Sequence, residues 1–510
     1  MRLSESVTSV YRTLRRRPAD LLPFYVLGAA VPAIGRIGTF LGLAIVYATL
    51  ETSGRLGTFR EEFAAMDRSP PNPETNPEGV ADWASTELAP VLEPLVTPGV
   101  VGVIAITVLV TLLASLVLYA GVAAGQLAAC HARLRGQRGI LAGIAGVRRR
   151  WRSFLGLFLI EIVLWLGATV AIWLAATSVA SVVVGATGEP VVGVLVGLGG
   201  GLLWAGTLVV SRALFAFAPV AVVVDDVGVL GSLSNTAGFV RSQPVEAVFY
   251  YVIALLTFVA FAAFVSVLSI VGVGSIVSVI GLLVLYPALD ILKTALYGDY
   301  RETVSRPPAV EETLREQFAA GLHRGWHELR AFVRKTPGLH AGVAVTALVG
   351  FGMGWAVAAP FDGLVETSIA ARLDGHVPPA AAVEFFTNNW TVALTTAYAG
   401  AALAVPALVS IWFNGLVLGI YARLEVDPIE LLAFVVPHGV LEIPAIVVAG
   451  ALGVHLGLAG WRTVRGRRSR ATLADELEGA FWVLVGLGAV LLLAGLVEGF
   501  VSPYYYRLLI

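Results

Sequence analysis

Residues 99–130 read GVVGVIAITVLVTLLASLVLYAGVAAGQLAAC, without one charged side chain. A helix needs about 20 apolar residues to cross the hydrocarbon core of a bilayer, whereas a barrel strand needs roughly 10 and alternates apolar with polar. This stretch is long and does not alternate, so it reads as a membrane-crossing helix. The rest of the chain agrees: of 510 residues, 57% are apolar and only 14% charged, against about a quarter charged in soluble domains. The expected fold class is all-α, a polytopic integral membrane protein.

Working outward, further apolar runs fall at 21–50, 154–184, 191–224, 247–270, 271–296, 338–359, 389–404, 407–422, 431–460 and 480–501. Together these give about eleven transmembrane helices. The first is too long and glycine-rich for a signal-peptide core and reads as an uncleaved span. The segment 389–422 carries Pro406 near its centre, so two short spans and one re-entrant hairpin both fit. Cys130 is the lone cysteine, which excludes an intrachain disulfide and a cysteine-based metal site.

Arginine sets the expected orientation. Arg12, Arg15, Arg16 and Arg17 precede the first span, and Arg133 to Arg152 fill the second connection. Arg301 to Lys335 precede the seventh span and Arg462 to Arg470 the last. With eleven spans these segments share one side, which the positive-inside rule makes the cytoplasm. The expectation is a multi-pass protein of the cell membrane, N-terminus cytoplasmic and C-terminus extracytoplasmic. The acidic, proline-rich loop 51–98, with an expected mobile tip at 69–77, and the loop 361–388 fall on the other side.

Each Arg-rich segment repeats a pattern: apolar residues three and four apart, then Arg, often Pro, then a span. The sets are Leu3, Val7, Val10, Leu14; Ile140, Ile144, Val147, Trp151; Leu230, Leu233, Ala237, Val240; and Leu314, Phe318, Leu322, Trp326, Leu329, Phe332. Such spacing makes an interfacial amphipathic helix. The polar stretch 300–336 then divides the chain into 1–305, a six-helix domain of three hairpins, and 306–510.

Ionisable residues at membrane depth are functional candidates by default, because burying each costs about 2.5 to 3.5 kcal/mol. Arg36 and Glu161 are expected to pair, Asp290 and Lys293 form a local helix pair, and Glu498 lies near the outer surface. The C-terminal block gathers Asn388, Asn389, Asn414, His438 and Glu442 in apolar segments that Pro437, Gly439 and Pro444 are expected to break. His438 and Glu442 share a face only if the helix is continuous.

Asn388-Asn389, Asn414-Gly415 with Gly419, and the run Pro437-His438-Gly439-Val440-Leu441-Glu442-Ile443-Pro444-Ala445 resemble the pattern of the stage II sporulation protein M family, from about residue 311 to the C-terminus. The resemblance implies a membrane protein; the namesake's part in localising a wall-degrading complex does not carry over to a two-domain chain. Ala218-Pro219-Val220, Asp225-Asp226 and Arg241-Ser242-Gln243-Pro244 make the first half similar to the membrane domain found beside some glycerophosphodiester phosphodiesterases, without a catalytic domain.

The expected function is a non-enzymatic scaffold, a partner-docking subunit of a membrane or cell-envelope complex. No phosphate loop or other cofactor motif occurs, so no catalytic residue, cofactor, metal or nucleic-acid partner is expected. The partners are the lipid bilayer and other envelope proteins, with self-association an open alternative. A proton-coupled transporter using His438 and Glu442 is the other reading. A zinc hydrolase lacks a third ligand: His455 lies about 25 Å from His438 along a continuous helix.

Overall fold

Proline opens most of the long helices, because its fixed φ suits the first helical turn and its missing N–H would be unpaired there anyway. The computed structural model describes residues 3–67, 69–72, 76–363 and 365–505. The expected mobile tip at 69–77 includes residues 73–75, which lie outside the described residues. The main helices are α1 (Leu3–Arg16), α2 (Pro23–Thr52), α3 (Pro98–Leu134), α4 (Gly139–Thr187), α5 (Pro190–Val224), α6 (Val229–Ser242) and α7 (Pro244–Ile270). They continue with α8 (Ser275–Tyr300), α9 (Leu314–Lys335), α10 (Pro337–Ala358), α11 (Pro378–Ala399), α12 (Val405–Leu424), α13 (Pro428–Val464), α14 (Arg470–Phe500) and α15 (Ser502–Tyr505). Apart from one isolated bridge between Thr367 and Glu425, the described secondary structure is helical, and the protein is an all-α polytopic membrane protein.

Ten of these helices are long and apolar enough to cross a membrane: α2, α3, α4, α5, α7, α8, α10, α12, α13 and α14. Their outward faces carry residues such as Val182, Leu202 and Ile270, exposed by 70%, 77% and 87%, as lipid-facing surfaces should be. The remaining expected span is α11, less apolar than the others but packed between α2, α13 and α14 with Ala393, Leu394 and Ala397 buried. It begins at Pro378 rather than at 389. The segment 389–422 therefore belongs to two antiparallel helices, joined by a tight turn in which Leu403 and Ala404 take the left-handed conformation. Gly457 of α13 lets that turn approach, since a Cβ there would collide with the Ala404 nitrogen.

Three of the four expected interfacial helices are discrete, namely α1, α6 and α9. The fourth expected one is not: residues 140–151 run straight into the third span as α4. The difference is chemical, because Pro18, Pro244 and Pro337 follow the first three whereas no proline interrupts α4.

The Arg-rich connections assemble at one end of the bundle. Asp20 caps α4 there, accepting from the Gly139 and Ile140 nitrogens at 2.8 and 3.0 Å, and pairs with Arg133 at 3.3 Å. The opposite end is tied by Glu425, which accepts from Thr367 Oγ1 and the Ile369 nitrogen. One buried apolar cluster joins Phe24 and Tyr25 of α2 and Ile291 of α8 to Leu394 of α11, Leu452 of α13 and Leu484 of α14. The two halves of the chain thus share a core.

Candidate functional site

Helix α13 passes unbroken through Pro437, Gly439 and Pro444, correcting the expected breaks. Each proline leaves one carbonyl without its usual donor, a defect that membrane helices accommodate through neighbouring groups and small local adjustments. Continuity places His438 and Glu442 one turn apart on the same face. A Cβ at Gly439 would meet only the side chains of Val435 and Ile443 on its own helix.

A third ionisable group arrives from α14. Gly495 and Gly499 let α14 lie against the start of α11, where a Cβ at either position would come within 2.9 Å of Ala382 backbone atoms. That approach fixes Glu498 beside α13. His438 Nε2 lies 3.9 Å from Glu498 Oε1, with side chains only 7% and 12% exposed. One donor atom each from His438, Glu442 and Glu498 fall within 4.8 Å of one another. Outside them stand two orienting groups. The Ser502 hydroxyl is 2.9 Å from His438 Nδ1, and the Asn389 side chain stands beside Glu442. Glu498 Oε2 is buried without a hydrogen-bond partner.

Asn389, His438 and Glu442 are therefore brought together, whereas Asn388 and Asn414 are not. Asn388 is exposed, one residue and so about 100° around the helix from Asn389. Asn414 is exposed and donates to Ser410 O of its own helix. Its neighbour Gly415, with Gly419, instead faces Gly350 and Gly354 of α10. A Cβ at any of the four would collide with a backbone oxygen of the facing helix, which is the close seam that small residues at four-residue spacing permit.

Glu161 pairs with Arg212 at 3.1 Å, not with Arg36. Helices α4 and α5 are antiparallel neighbours joined at Gly188, while α2, which carries Arg36, packs mainly on α3 and α11. Asp290 and Lys293 do pair, at 2.7 Å, and Tyr25 donates to Asp290 at 2.9 Å. Arg212, Asp290 and Lys293 border cavities of about 180 and 1240 Å³, the larger also reaching Thr391 of α11.

Residue-by-residue reading missed Glu498 and Ser502 as parts of the cluster, and Asp225 as a hub. Asp225 accepts from both Arg301 Nε and Nη2, from Tyr297 and from Asn235, at 2.6 to 2.8 Å. Burial pushes its carboxyl up, and these bonds outweigh burial and hold it below the usual carboxylate value. The available signal for Glu498 was its place between Gly495 and Gly499, where a helix is bare enough to be approached closely.

Residues 343–503 match the family model of stage II sporulation protein M. All five cluster residues and all four seam glycines lie inside that segment, so the resemblance read from the Pro437 to Ala445 run is shown, beginning at 343 rather than 311. No curated protein and no solved structure matches the chain. The likeness of the first half to the phosphodiesterase-associated domain is not shown by these comparisons.

Proposed function

We propose that the protein is a non-enzymatic membrane scaffold whose stage II sporulation protein M segment holds a rigid bundle and whose Arg-rich end docks partner or envelope proteins at the cytoplasmic face. The observation that carries this reading is the packing beneath the polar cluster. Toward the Arg-rich end, α11, α13 and α14 interlock through Leu394, Ala397, Leu452, Leu484 and Leu491, each no more than 2% exposed. The cluster thus opens onto a closed apolar core, and its natural work is to fix helix positions.

Docking is supported by α9. A capping box of Thr313 and Glu316 starts this helix, and Gly325 seats it against Gly486 of α14. Leu314, Phe318 and Trp326 are left 64%, 69% and 49% exposed, and Arg324 is anchored over the Trp482 ring at 4.6 Å. A firmly held helix with an open apolar face is suited to the inner leaflet and to a protein seated there.

A proton-coupled carrier is the second reading, favoured by the convergence of His438, Glu442 and Glu498 at one spot. The test is affinity purification of the tagged chain from native membranes in mild detergent, with quantitative mass spectrometry. Wild type is compared with Glu442→Gln and with a Phe318→Ser, Trp326→Ser double variant. A stoichiometric partner lost in the α9 variant supports docking. A chain that emerges alone, and whose reconstituted form carries a proton flux abolished by Glu442→Gln, overturns the scaffold in favour of transport.

A further inference from the structure

We propose that His438, Glu442 and Glu498 bind one divalent transition-metal ion, with Zn2+ the best fit. Charge is the first argument. Two carboxylates lie side by side within the helix bundle, and among the described residues neither is paired with Lys or Arg. Burying charge without compensation is expensive, and a dication bound by both carboxylates cancels it.

Geometry is the second. A tetrahedral ion with bonds of about 2.1 Å sets its donors roughly 3.4 Å apart. The 3.9 Å between His438 Nε2 and Glu498 Oε1 and the 4.8 Å limit on the whole set need only a small rotation of flexible glutamate side chains to close. One imidazole and two carboxylates form the mixed nitrogen and oxygen set that suits zinc and its neighbours better than Mg2+ or Ca2+.

The surroundings are the third. Metal-bound histidines use their far nitrogen on an orienting partner, and ligating carboxylates are themselves hydrogen-bonded. Ser502 occupies His438 Nδ1, leaving Nε2 toward Glu498, and the Asn389 side chain lies beside Glu442 within reach of an outer-shell bond. The buried, unpartnered Glu498 Oε2 supplies a free acceptor in the same pocket. Three protein ligands leave a fourth position for water, and the ion would clamp α13 to α14 beneath α15.

The experiment uses the full chain, purified in detergent and stripped with EDTA. Zn2+ is titrated calorimetrically, bound metal is counted by mass spectrometry, and Co2+ is added for its visible spectrum. One zinc per chain, with a tetrahedral Co2+ spectrum and no displacement by equal Mg2+, is the expected result. His438→Gln and Glu498→Gln should abolish binding, and Ser502→Ala should weaken it about 10- to 100-fold. Glu476→Gln, which alters the carboxylate paired with His455 at the other end of α13, should change nothing. The wild-type titration and Co2+ spectrum need no variant to fold. An absence of saturable Zn2+ binding there, or binding that survives both His438→Gln and Glu498→Gln, overturns the proposal. Partner capture is read separately, so either reading can fail while the other stands.

Discussion

Ser502 reaches His438 from beyond the end of α14, its hydroxyl 2.9 Å from Nδ1, and so closes the polar cluster with a residue sixty-four positions away in sequence. The bond joins α13 to α15 across a fully buried serine. Removing it leaves a buried ring nitrogen without its partner.

Ser502→Ala should therefore lower thermal stability in detergent by about 1 to 3 kcal/mol. Asn414→Ala, at an exposed residue whose amide bonds its own helix, should stay within about 0.5 kcal/mol of wild type. Thermal unfolding of the two purified variants checks the pair, and equal losses would contradict the separation of Asn414 from the cluster.

The α10 and α12 seam gives a second contrast. Gly354→Ala places a methyl group against the Leu416 carbonyl, an overpacking of backbone that should cost about 1 to 3 kcal/mol or more. Gly439→Ala meets only side chains of its own helix, the nearest at 3.1 Å, and should be neutral or stabilising because alanine is the better helix former. Expression level and melting temperature of the two variants decide the matter.

Asp225 makes stability depend on acid. Its folded carboxyl titrates below the usual 3.8 despite burial, because Arg301, Tyr297 and Asn235 bond the charged form. A depressed carboxyl favours the folded state above its unfolded value, and that contribution is lost as pH falls through the folded value. The stability gap between wild type and Asp225→Asn should be level from pH 7 to about 5 and narrow below about 4. Melting curves at stepped pH test this, and a gap that widens on acidification would reverse the sign.

Orientation is open to labelling. Cys130 is fully buried, so a wild-type chain should give little background with a membrane-impermeant thiol reagent. Asp374→Cys and Arg467→Cys occupy exposed positions at opposite ends of the bundle. Labelling of Asp374→Cys in intact cells, and of Arg467→Cys only after permeabilisation, is expected from the distribution of arginine. The reverse pattern would invert the topology.

Some of the site was legible before the fold. His438 and Glu442 are four residues apart, and a helical period alone aligns them once α13 is known to continue. Asn389 was among the candidates because a polar amide opening an apolar segment is unusual. Asn388 opens the same segment and Asn414 lies in the next, and a place in an apolar run carries no information about the direction a side chain takes around its helix.

Chain order and hydropathy determined, unaided, that this is a helical, multi-pass membrane protein whose basic residues cluster in the connections between its apolar helices. Those properties follow from local chemistry: apolar length against bilayer thickness, proline at helix starts, and arginine near the ends. Tertiary packing alone decided that Glu161 meets Arg212, that Glu498 and Ser502 complete the cluster around His438, and that Asp225 binds Arg301. Each of these joins residues on different helices or just past their ends. Which helices touch depends on where small residues such as Gly495 and Gly499 let backbones close to contact, a distance that no one-dimensional period encodes.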